Sequence, residues 1–513
     1  MTVKRALLSG LTLIAVWLIG LDLLSSWNQP QVLSRIELYQ SNLRLQASEL
    51  QREDQNVMAS KRALVEADPV KAALEQYQKA HQQTIQSLEQ AQIAAATQDL
   101  DPDAARRSTE AELKLARLRD DLAVNLGLLQ TAQADVAAAL TTWKTAQKQI
   151  AQAQLPVNPK TQTQKEVLAV LVGLWSQPAQ LLPEAEQTVR QALNGWFRDR
   201  ALAQLYQLQQ REDALQTLQA TQQQAAQTAF ESLAIISGIP VVSSLIGVGL
   251  LLFVIAQWFV QRKTALLAPE TLPQWETPWD GEVIWQVLIF GFFLIGQLIL
   301  PVVIGGLKQV GVLGFASANS EGQAAFILLN YVLLTVGSLG VLYWSIKPYL
   351  PLGGAWFRFN WGDRWWLWGI GGYFAALPLV IAISVINQKI WQGQGGSNPI
   401  LPIALEERNN LAIIIFFVTA TIAAPIFEEI LFRGFLLSSL TRYFPTWGAI
   451  ALSSLIFAIA HLSLSEVLPL TVLGMVLGFV YARSQNLLAS MLLHGLWNSG
   501  TLLSLVILGA GQG

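Results

Sequence analysis

Long apolar stretches dominate the chain from about Leu233 to its end, separated by short loops that contain Trp, Pro and Gly. A helix needs about 20 mostly apolar residues to cross the hydrocarbon core of a bilayer, so each stretch is a candidate membrane span. The candidate spans are residues 233–260, 283–306, 324–345, 365–387, 411–432, 447–462, 467–482 and 487–509. Together with an apolar run at the N-terminus, the pattern predicts an all-α, polytopic transmembrane helix bundle with eight or nine spans.

The N-terminal apolar run extends from Ala6 to Leu24 and follows Lys4 and Arg5. It approaches the length of a spanning helix and contains no clear small-x-small cleavage site. These features favour an uncleaved signal anchor, residues 1–27, over a cleaved signal peptide. Because basic residues beside a span favour the cytoplasmic side, we expect a cytoplasmic N-terminus.

A polar region rich in Gln, Ala and charged residues lies between this run and the later spans. Its apolar residues recur at intervals of seven, or of three and four, residues, which is the spacing of a coiled-coil seam. One position of this seam is polar, at Asn125. The seam positions are Ile36, Leu43, Leu50, Val57 and Leu64, then Leu115, Leu118, Leu122, Leu129, Ala132, Val136, Ala139, Trp143 and Ile150. Helix breaks are predicted at Asp68-Pro69, 99–103, 156–159, Pro178 and Pro183. We expect three to five helices in an elongated extramembrane bundle without a compact core.

These patterns divide the chain into four predicted domains. A signal anchor occupies residues 1–27, a helical, coiled-coil-like domain residues 28–230, further transmembrane helices residues 231–404, and a last domain residues 405–513. Threading the spans alternately across the membrane puts most Lys and Arg of the later loops on the cytoplasmic side, as the positive-inside rule requires. The same threading places the helical domain on the opposite side.

Composition supports a membrane protein and excludes several kinds of site. The chain is 52% hydrophobic and 13% charged, which is too apolar for a soluble enzyme. A net charge of -2 argues against nucleic acid as a partner, because no large basic face is present. The absence of Cys excludes disulfides, thiolate metal sites and cysteine nucleophiles. Of the three histidines, His81 stands alone on a polar, Gln-rich face, as expected of a solvated residue.

Charged residues and the other two histidines lie within the last apolar stretches. Ionisable side chains at bilayer depth cost about 2.5–3.5 kcal/mol each on insertion scales, so a group of them needs a reason beyond packing. Glu429 and Arg433 stand four residues apart on one predicted helix and can pair along it. Glu428 points about 100° away from Glu429 and is free to face a cavity, where it could act as a general base toward water.

Two further predicted helices bring polar residues to the same place. Phe457 and His461 are four residues apart on one helix, and His494 and Asn498 are four apart on the other. Taken singly, such features are usually structural, namely a helical ion pair or a hydrogen-bonded core histidine. Taken together, they predict one polar pocket inside the membrane, which we interpret as a catalytic site.

These motifs resemble, in order and spacing, the signature of the CPBP family of intramembrane proteases, which includes the eukaryotic CAAX prenyl endopeptidases and Abi-type domains. The matching motifs are Glu428-Glu429-x-x-x-Arg433, Phe457-x-x-x-His461 and His494-x-x-x-Asn498. The resemblance covers about residues 405–505 and implies hydrolysis of a peptide bond in a membrane-associated protein. The roles it implies are water activation by Glu428 with His461, oxyanion stabilisation by His494 with Asn498, and structural support by Glu429, Arg433 and Phe457.

Two hypotheses about metal dependence follow. Metal-free hydrolysis without a cofactor is favoured, because Asn498 suits an oxyanion donor better than a zinc ligand. The alternative is zinc held by Glu428, His461 and His494 with a fourth position for water, although the motif H-E-x-x-H is absent.

The sequence also leaves other functions open and indicates which partners to expect. The alternatives to an endopeptidase are a non-catalytic membrane scaffold, an immunity-type binding protein, and a proton-coupled transporter with a Glu and His relay. Expected partners are membrane lipids and a membrane-associated protein or peptide substrate. Residues 31–228 are a candidate region for binding a protein partner or a second copy of the chain, and nucleic acid is not expected.

Overall fold

The protein, seen in a computed structural model, is built of helices. The structure describes residues 3–27, 29, 31–51, 61, 64–97, 102–152, 159–311, 313–317, 319–353, 356–398 and 400–510. Every regular element in these ranges is helical, which confirms the all-α prediction. The chain divides into two compact units, a membrane unit of Met1–Val32 with Ile239–Val506 and an arm unit of Leu33–Gly238 with Ile507–Gly513. The four predicted domain boundaries stay predictions.

The arm unit contains most of helix α2, helices α3 to α8 and the first part of helix α9, and helix α1 (Val3–Ser26) precedes it. The bounds are Val32–Ser48 (α2), Pro69–Thr97 (α3), Pro102–Ala132 (α4), Val136–Gln152 (α5), Pro159–Trp175 (α6), Ala185–Ala192 (α7), Gly195–Leu208 (α8) and Glu212–Gln261 (α9). Pro69, Pro102 and Pro159 each begin a helix, where a missing N–H costs nothing. The expectation of three to five helices is wrong, because the proline-bearing segment after α6 is followed by the short helices α7 and α8.

One apolar core holds the arm helices together. Trp143 on α5 is fully buried, and its indole N–H donates to the carbonyl oxygen of Val124 at 3.1 Å. Gly127 permits this approach, since a Cβ there would lie 2.1 Å from the Nε1 of Trp143. Other seam residues in this core are Leu122, Leu129, Ala139 and Ile150. The expectation of helices without a compact core is therefore wrong. The coiled-coil packing of these helices stays a prediction. The seam residue Val57 and the breaks at 99–101 and 156–158 lie outside the described residues.

A buried carboxylate lies on α4 within the arm unit. Asp120 is 1% exposed, and its Oδ1 accepts a hydrogen bond from the Nε of Arg119 at 2.8 Å. Its Oδ2 is buried without a hydrogen-bond partner among the residues that the structure describes. Burial raises the pKa of Asp120 from 3.8 to about 6, although the adjacent Arg119 lowers it. The ionised carboxylate therefore reduces the stability of the arm unit at neutral pH.

We expect the arm unit to lose stability as the pH rises from about 4 to about 6. Because the pKa of Asp120 is higher in the folded than in the unfolded chain, the folded chain binds more protons in this interval, and releasing them destabilises it. Hydrogen exchange of arm peptides in the full chain, corrected for intrinsic rates, measures this effect. Asp120→Asn should reduce the pH dependence, with a remainder from Asp199, whose pKa is also raised by burial, and replacing the exposed Glu89 with Gln should not reduce it. Equal pH dependence in wild type and Asp120→Asn would contradict the prediction.

Eight helices in the described part of the chain are long and apolar enough to cross a membrane. They are α1, α9, α10 (Gly281–Gln309), α11 (Ser320–Ile346), α12 (Trp365–Trp391), α14 (Asn410–Leu440), α16 (Val467–Ser484) and α17 (Leu487–Ala510). The short helices α13 (Ile400–Glu406) and α15 (Thr446–Ile459) complete the series. The prediction of an integral, multi-pass membrane protein is confirmed.

The predicted span at residues 447–462 differs from the structure. Helix α15 has 14 residues and ends at Ile459. Its length is about 21 Å, whereas the hydrocarbon core of a bilayer is about 30 Å thick. The chain turns immediately afterwards, with φ of 56° at Leu462, so the helix does not continue through His461. Among the described residues, eight helices thus have the length of a candidate span and α15 is a shorter apolar helix, in agreement with the predicted eight or nine.

Helix α14 forms the centre of the membrane unit's core. Its Phe427, Leu431, Phe432 and Phe435 are each at most 1% exposed. Its backbone widens into π-helical turns at Thr419–Ala423 and again at Ile430–Leu437. Such turns are rare and often occur at functional sites. The two predicted glutamates, numbers 428 and 429, lie between these turns.

Candidate active site

Three helices of the membrane unit meet at a buried ion pair. On α14, the Nη1 of Arg433 donates to the Oε1 of Glu429 at 2.7 Å, and both side chains are at most 1% exposed. The Nδ1 of His494 on α17 lies 2.9 Å from the same oxygen. Arg433 also donates from its Nη2 to the carbonyl oxygen of Gly474 on α16, at 3.3 Å. The predicted helical pair is therefore the centre of a network that joins α14, α16 and α17.

The network also fixes the orientation of the His494 ring. An ionised Glu429, paired with Arg433, can only accept hydrogen bonds, so the Nδ1 of His494 must carry the proton that it donates. The other ring nitrogen, Nε2, then faces Glu428 at 3.7 Å from Oε2. A histidine oriented by a carboxylate on one side and presented to a reacting group on the other is a recurring catalytic arrangement.

Glu428 lies beside this network and is less buried, with its side chain 16% exposed. Its Oε1 accepts a hydrogen bond from the hydroxyl of Tyr331 on α11 at 3.0 Å. Its Oε2 has no hydrogen-bond partner within the described ranges. The 3.7 Å between Oε2 and the Nε2 of His494 is too long for a direct hydrogen bond, so one small polar group could contact both atoms.

His461 follows α15 and does not lie on it, so the prediction that it shares a helical face with Phe457 is wrong. A turn still places its Nδ1 2.9 Å from the carbonyl oxygen of Phe457, and the two rings meet edge to face at 4.9 Å between centroids. No hydrogen bond or ion pair joins His461 to Glu428 in the part of the chain that the structure covers. The geometry thus brings His494, and not His461, into pairing range of Glu428.

The loop after His461 is held by a second loop of the membrane unit. The N–H of Ser465 donates to the carbonyl oxygen of Gly395 at 3.0 Å, and the Nδ2 of Asn387 donates to the carbonyl oxygen of Ser465 at 2.6 Å. Gly395 has φ of +99°, and a Cβ there would lie 2.9 Å from the Cβ of Ser465. Only glycine fits such a position without strain. The position of His461 therefore depends on this loop pairing.

Asn498 lies one turn beyond His494 on α17. Its Nδ2 donates to the carbonyl oxygen of Ala420, in the first π-helical turn of α14, at 2.7 Å. Gly495 permits close packing of the two helices, since a Cβ there would lie 2.8 Å from the carbonyl oxygen of Thr421. A side-chain amide has two N–H donors, and this contact uses one of them.

The ring of Phe457 connects the parts of the site. It is fully buried, and the guanidinium of Arg433 lies 4.5 Å from its centroid. The rings of His461 and His494 both meet it edge to face, at 4.9 and 5.8 Å between centroids. Six of the seven predicted site residues are linked by direct contacts through Phe457 and the ion pair. The seventh, Asn498, contacts the backbone of α14. The catalytic roles of these residues stay predictions.

Sequence reasoning missed Tyr331. A tyrosine within an apolar span is typical of ordinary packing, so its position in the sequence alone does not indicate a site. The available signal was its hydroxyl, because a buried O–H usually has a hydrogen-bond partner. The partner, Glu428, lies almost a hundred positions later, on a different helix.

The donor groups of the site bear on the two hypotheses about metal dependence. No group of three His, Asp or Glu side chains that could hold a metal ion occurs in the described residues. The Nδ1 of His461 lies against a carbonyl oxygen and the Nδ1 of His494 against Glu429, so these contacts leave the Nε2 of each ring for another partner. The zinc alternative with Glu428, His461 and His494 stays a prediction, and no step through a metal is derived.

Comparison with known proteins bears on the segment that contains the site. Residues 410–500 match the family model for type II CAAX prenyl endopeptidase Rce1-like proteins. Over 142 residues the chain is 30% identical to the "Putative membrane peptidase YdiL" of Bacillus subtilis (strain 168), a match that covers 26% of this chain and 53% of that protein. No solved structure matches significantly. The resemblance predicted from the motifs is thereby confirmed, and residues 410–500 of this chain, with all seven predicted site residues, carry the match to the CAAX prenyl endopeptidase family.

Proposed function

We propose that this protein is an intramembrane endopeptidase that hydrolyses a peptide bond of a membrane-associated protein. The observation that carries the proposal is the pairing of Glu428 with a histidine, His494, that a buried Glu429 orients from its other side. The family match at residues 410–500 supports the reaction class. A purely structural ion pair would require Glu429 and Arg433 but would not explain a second carboxylate beside the same ring.

The proposed reaction uses Glu428 as the general base. A water molecule between the Oε2 of Glu428 and the Nε2 of His494 loses a proton to Glu428 as its oxygen attacks the scissile carbonyl carbon. The tetrahedral intermediate then collapses, the C–N bond breaks, and the leaving amine takes the proton back from Glu428. Water is consumed and a carboxylic acid and an amine are formed, so the step needs no other reactant.

The remaining site residues stabilise this reaction. The role of Asn498 in stabilising the oxyanion is supported by its second amide N–H, since the first is fixed on Ala420. Removal of one such donor typically costs about 10²–10³ in kcat. The Nε2 of His494 lies beside the proposed water, and its predicted oxyanion role requires a proton on Nε2 as well as the one on Nδ1. His461 is held against the ring of Phe457, and its predicted place in water activation depends on the loop that fixes it.

The proposed orientation places the N-terminus in the cytoplasm and the arm unit on the opposite side of the membrane. The distribution of Lys and Arg among the loops supports it, because these residues favour the cytoplasmic side. The substrate is a membrane-associated protein, and the arm unit is the proposed place for a protein partner or a second copy to bind.

Activity should survive the removal of metal ions. Since no three described ligands are arranged to share a metal, a strong chelator followed by dialysis should change kcat by less than about twofold. Metal analysis of the purified protein should find far less than one zinc per chain. One zinc per chain, lost together with activity and restored by zinc alone, would contradict metal-free hydrolysis.

Cleavage of quenched peptides that contain a membrane-proximal segment tests the function. The purified protein in nanodiscs should cut some members of such a library, and His494→Ala should reduce the rate about 10²-fold or more. His81→Ala, which replaces the histidine of the arm unit, should cut at the wild-type rate. If wild type and His494→Ala release products equally, the proposed site is wrong.

A further inference from the structure

A tyrosine outside the matched segment completes the surroundings of Glu428. Tyr331 lies near the middle of α11, and its hydroxyl is 3.0 Å from the Oε1 of Glu428 and 3.5 Å from the carbonyl oxygen of Ala424. A phenol has a single proton to donate. The carboxylate is both the nearer and the more strongly accepting partner, so the hydroxyl donates to Glu428.

The ring of Tyr331 is fixed by aromatic packing. It meets the ring of Phe427 edge to face, with 5.9 Å between centroids. Phe427 is 1% exposed and also packs against Phe292 on α10, at 6.1 Å between centroids. The hydroxyl is therefore held in place by helices α10, α11 and α14 before any substrate binds, and such preorganisation is what a positioning group needs.

The hydrogen bond distinguishes the two oxygens of Glu428. Oε1 is occupied by Tyr331, whereas Oε2 faces the Nε2 of His494. The terminal torsion of a glutamate is broad and nearly two-fold, so a carboxylate without such an anchor samples many orientations. An anchored carboxylate presents one defined oxygen to a water molecule, and errors of about 1 Å in such placement cost about 10²-fold in rate.

We propose that Tyr331 is a positioning residue that fixes the carboxylate of Glu428 so that Oε2 faces the reacting water. This inference rests on the proposed function, and it extends the active site from the matched segment to helix α11. The reaction would thus depend on an earlier span that the family match does not cover.

Tyr331→Phe tests the inference, because it removes the hydroxyl and keeps the ring. In nanodiscs its kcat should fall between about tenfold and about a hundredfold, with KM within about twofold of wild type. Tyr343→Phe is the matched control, since Tyr343 lies on the same helix and is 50% exposed. It should leave both constants unchanged. An unchanged kcat in Tyr331→Phe, or a rise in KM that accounts for the whole loss, would overturn the inference.

A second measurement does not need activity. Thermal unfolding of wild type, Tyr331→Phe, Glu428→Ala and the double variant forms a cycle that isolates the coupling of the two side chains. The Tm change caused by Tyr331→Phe should be smaller in the Glu428→Ala background than in wild type. Additive Tm changes would overturn the contact itself. If wild type cuts no peptide, the proposed function fails, while the cycle still decides whether Tyr331 holds Glu428.

Discussion

Replacing Glu428 with Gln should reduce peptide cleavage about a thousandfold while the protein stays folded. The amide keeps the size of the side chain and can still accept the hydrogen bond from Tyr331, so packing at 3.0 Å is preserved. It cannot take a proton from water, which removes the base on which the proposed reaction depends. Steady-state cleavage in nanodiscs, with thermal unfolding measured in parallel, gives both results.

The control for this variant is a second carboxylate outside the site. Glu270 is exposed and lies in the connection between α9 and α10, so Glu270→Gln should cut at the wild-type rate. A Glu428→Gln protein that retains more than about a tenth of the wild-type kcat would contradict the assignment, because loss of a general base costs at least about 10²-fold.

Replacing Arg433 with Met should destabilise the membrane unit by about 3–5 kcal/mol. The change leaves Glu429, which is fully buried, without the cation that donates to it at 2.7 Å. It also removes the contact of the guanidinium with the ring of Phe457 and the hydrogen bond to the carbonyl oxygen of Gly474. Thermal unfolding in detergent and the yield of folded protein report the effect.

The double variant distinguishes loss of a charge partner from loss of packing. In Arg433→Met with Glu429→Gln no unpaired charge remains, so part of the lost stability should return, because a buried ion pair gives little net stability over neutral groups. If the double variant is less stable than Arg433→Met, the unpaired carboxylate is not the cause of the destabilisation. Activity should stay low in the double variant, since His494 loses the Glu429 carboxylate that orients it.

Local spacing predicted the contacts that lie within one helix. The pair of Glu429 and Arg433 follows from their separation by four residues, and its burial follows from the apolar residues around it. The same reasoning left Glu428 without an intrahelical partner, in agreement with the structure. It failed at His461, because the end of α15 is set by a turn at Leu462 that hydropathy does not record.

The spacing of residues along the sequence does not predict contacts between distant helices. The approach of His494 to Glu428 and of Tyr331 to the same carboxylate depends on how α11, α14 and α17 pack. Prolines predicted where arm helices begin, since Pro69 starts one, but the number of helices and their common core depend on tertiary packing. A seven-residue repeat of apolar residues predicts a buried stripe on a helix, but it does not identify the element that packs against that stripe.

The most direct measurement is cleavage of a membrane-proximal peptide library by the purified protein in water enriched in ¹⁸O, with products identified by mass spectrometry. The proposed reaction predicts pairs of products from wild type, with solvent ¹⁸O in each new carboxylate and no such pairs from Glu428→Gln. Pairs that form equally with the variant, or a folded wild type that forms none across the library, would contradict it. The second result would favour a non-catalytic membrane scaffold.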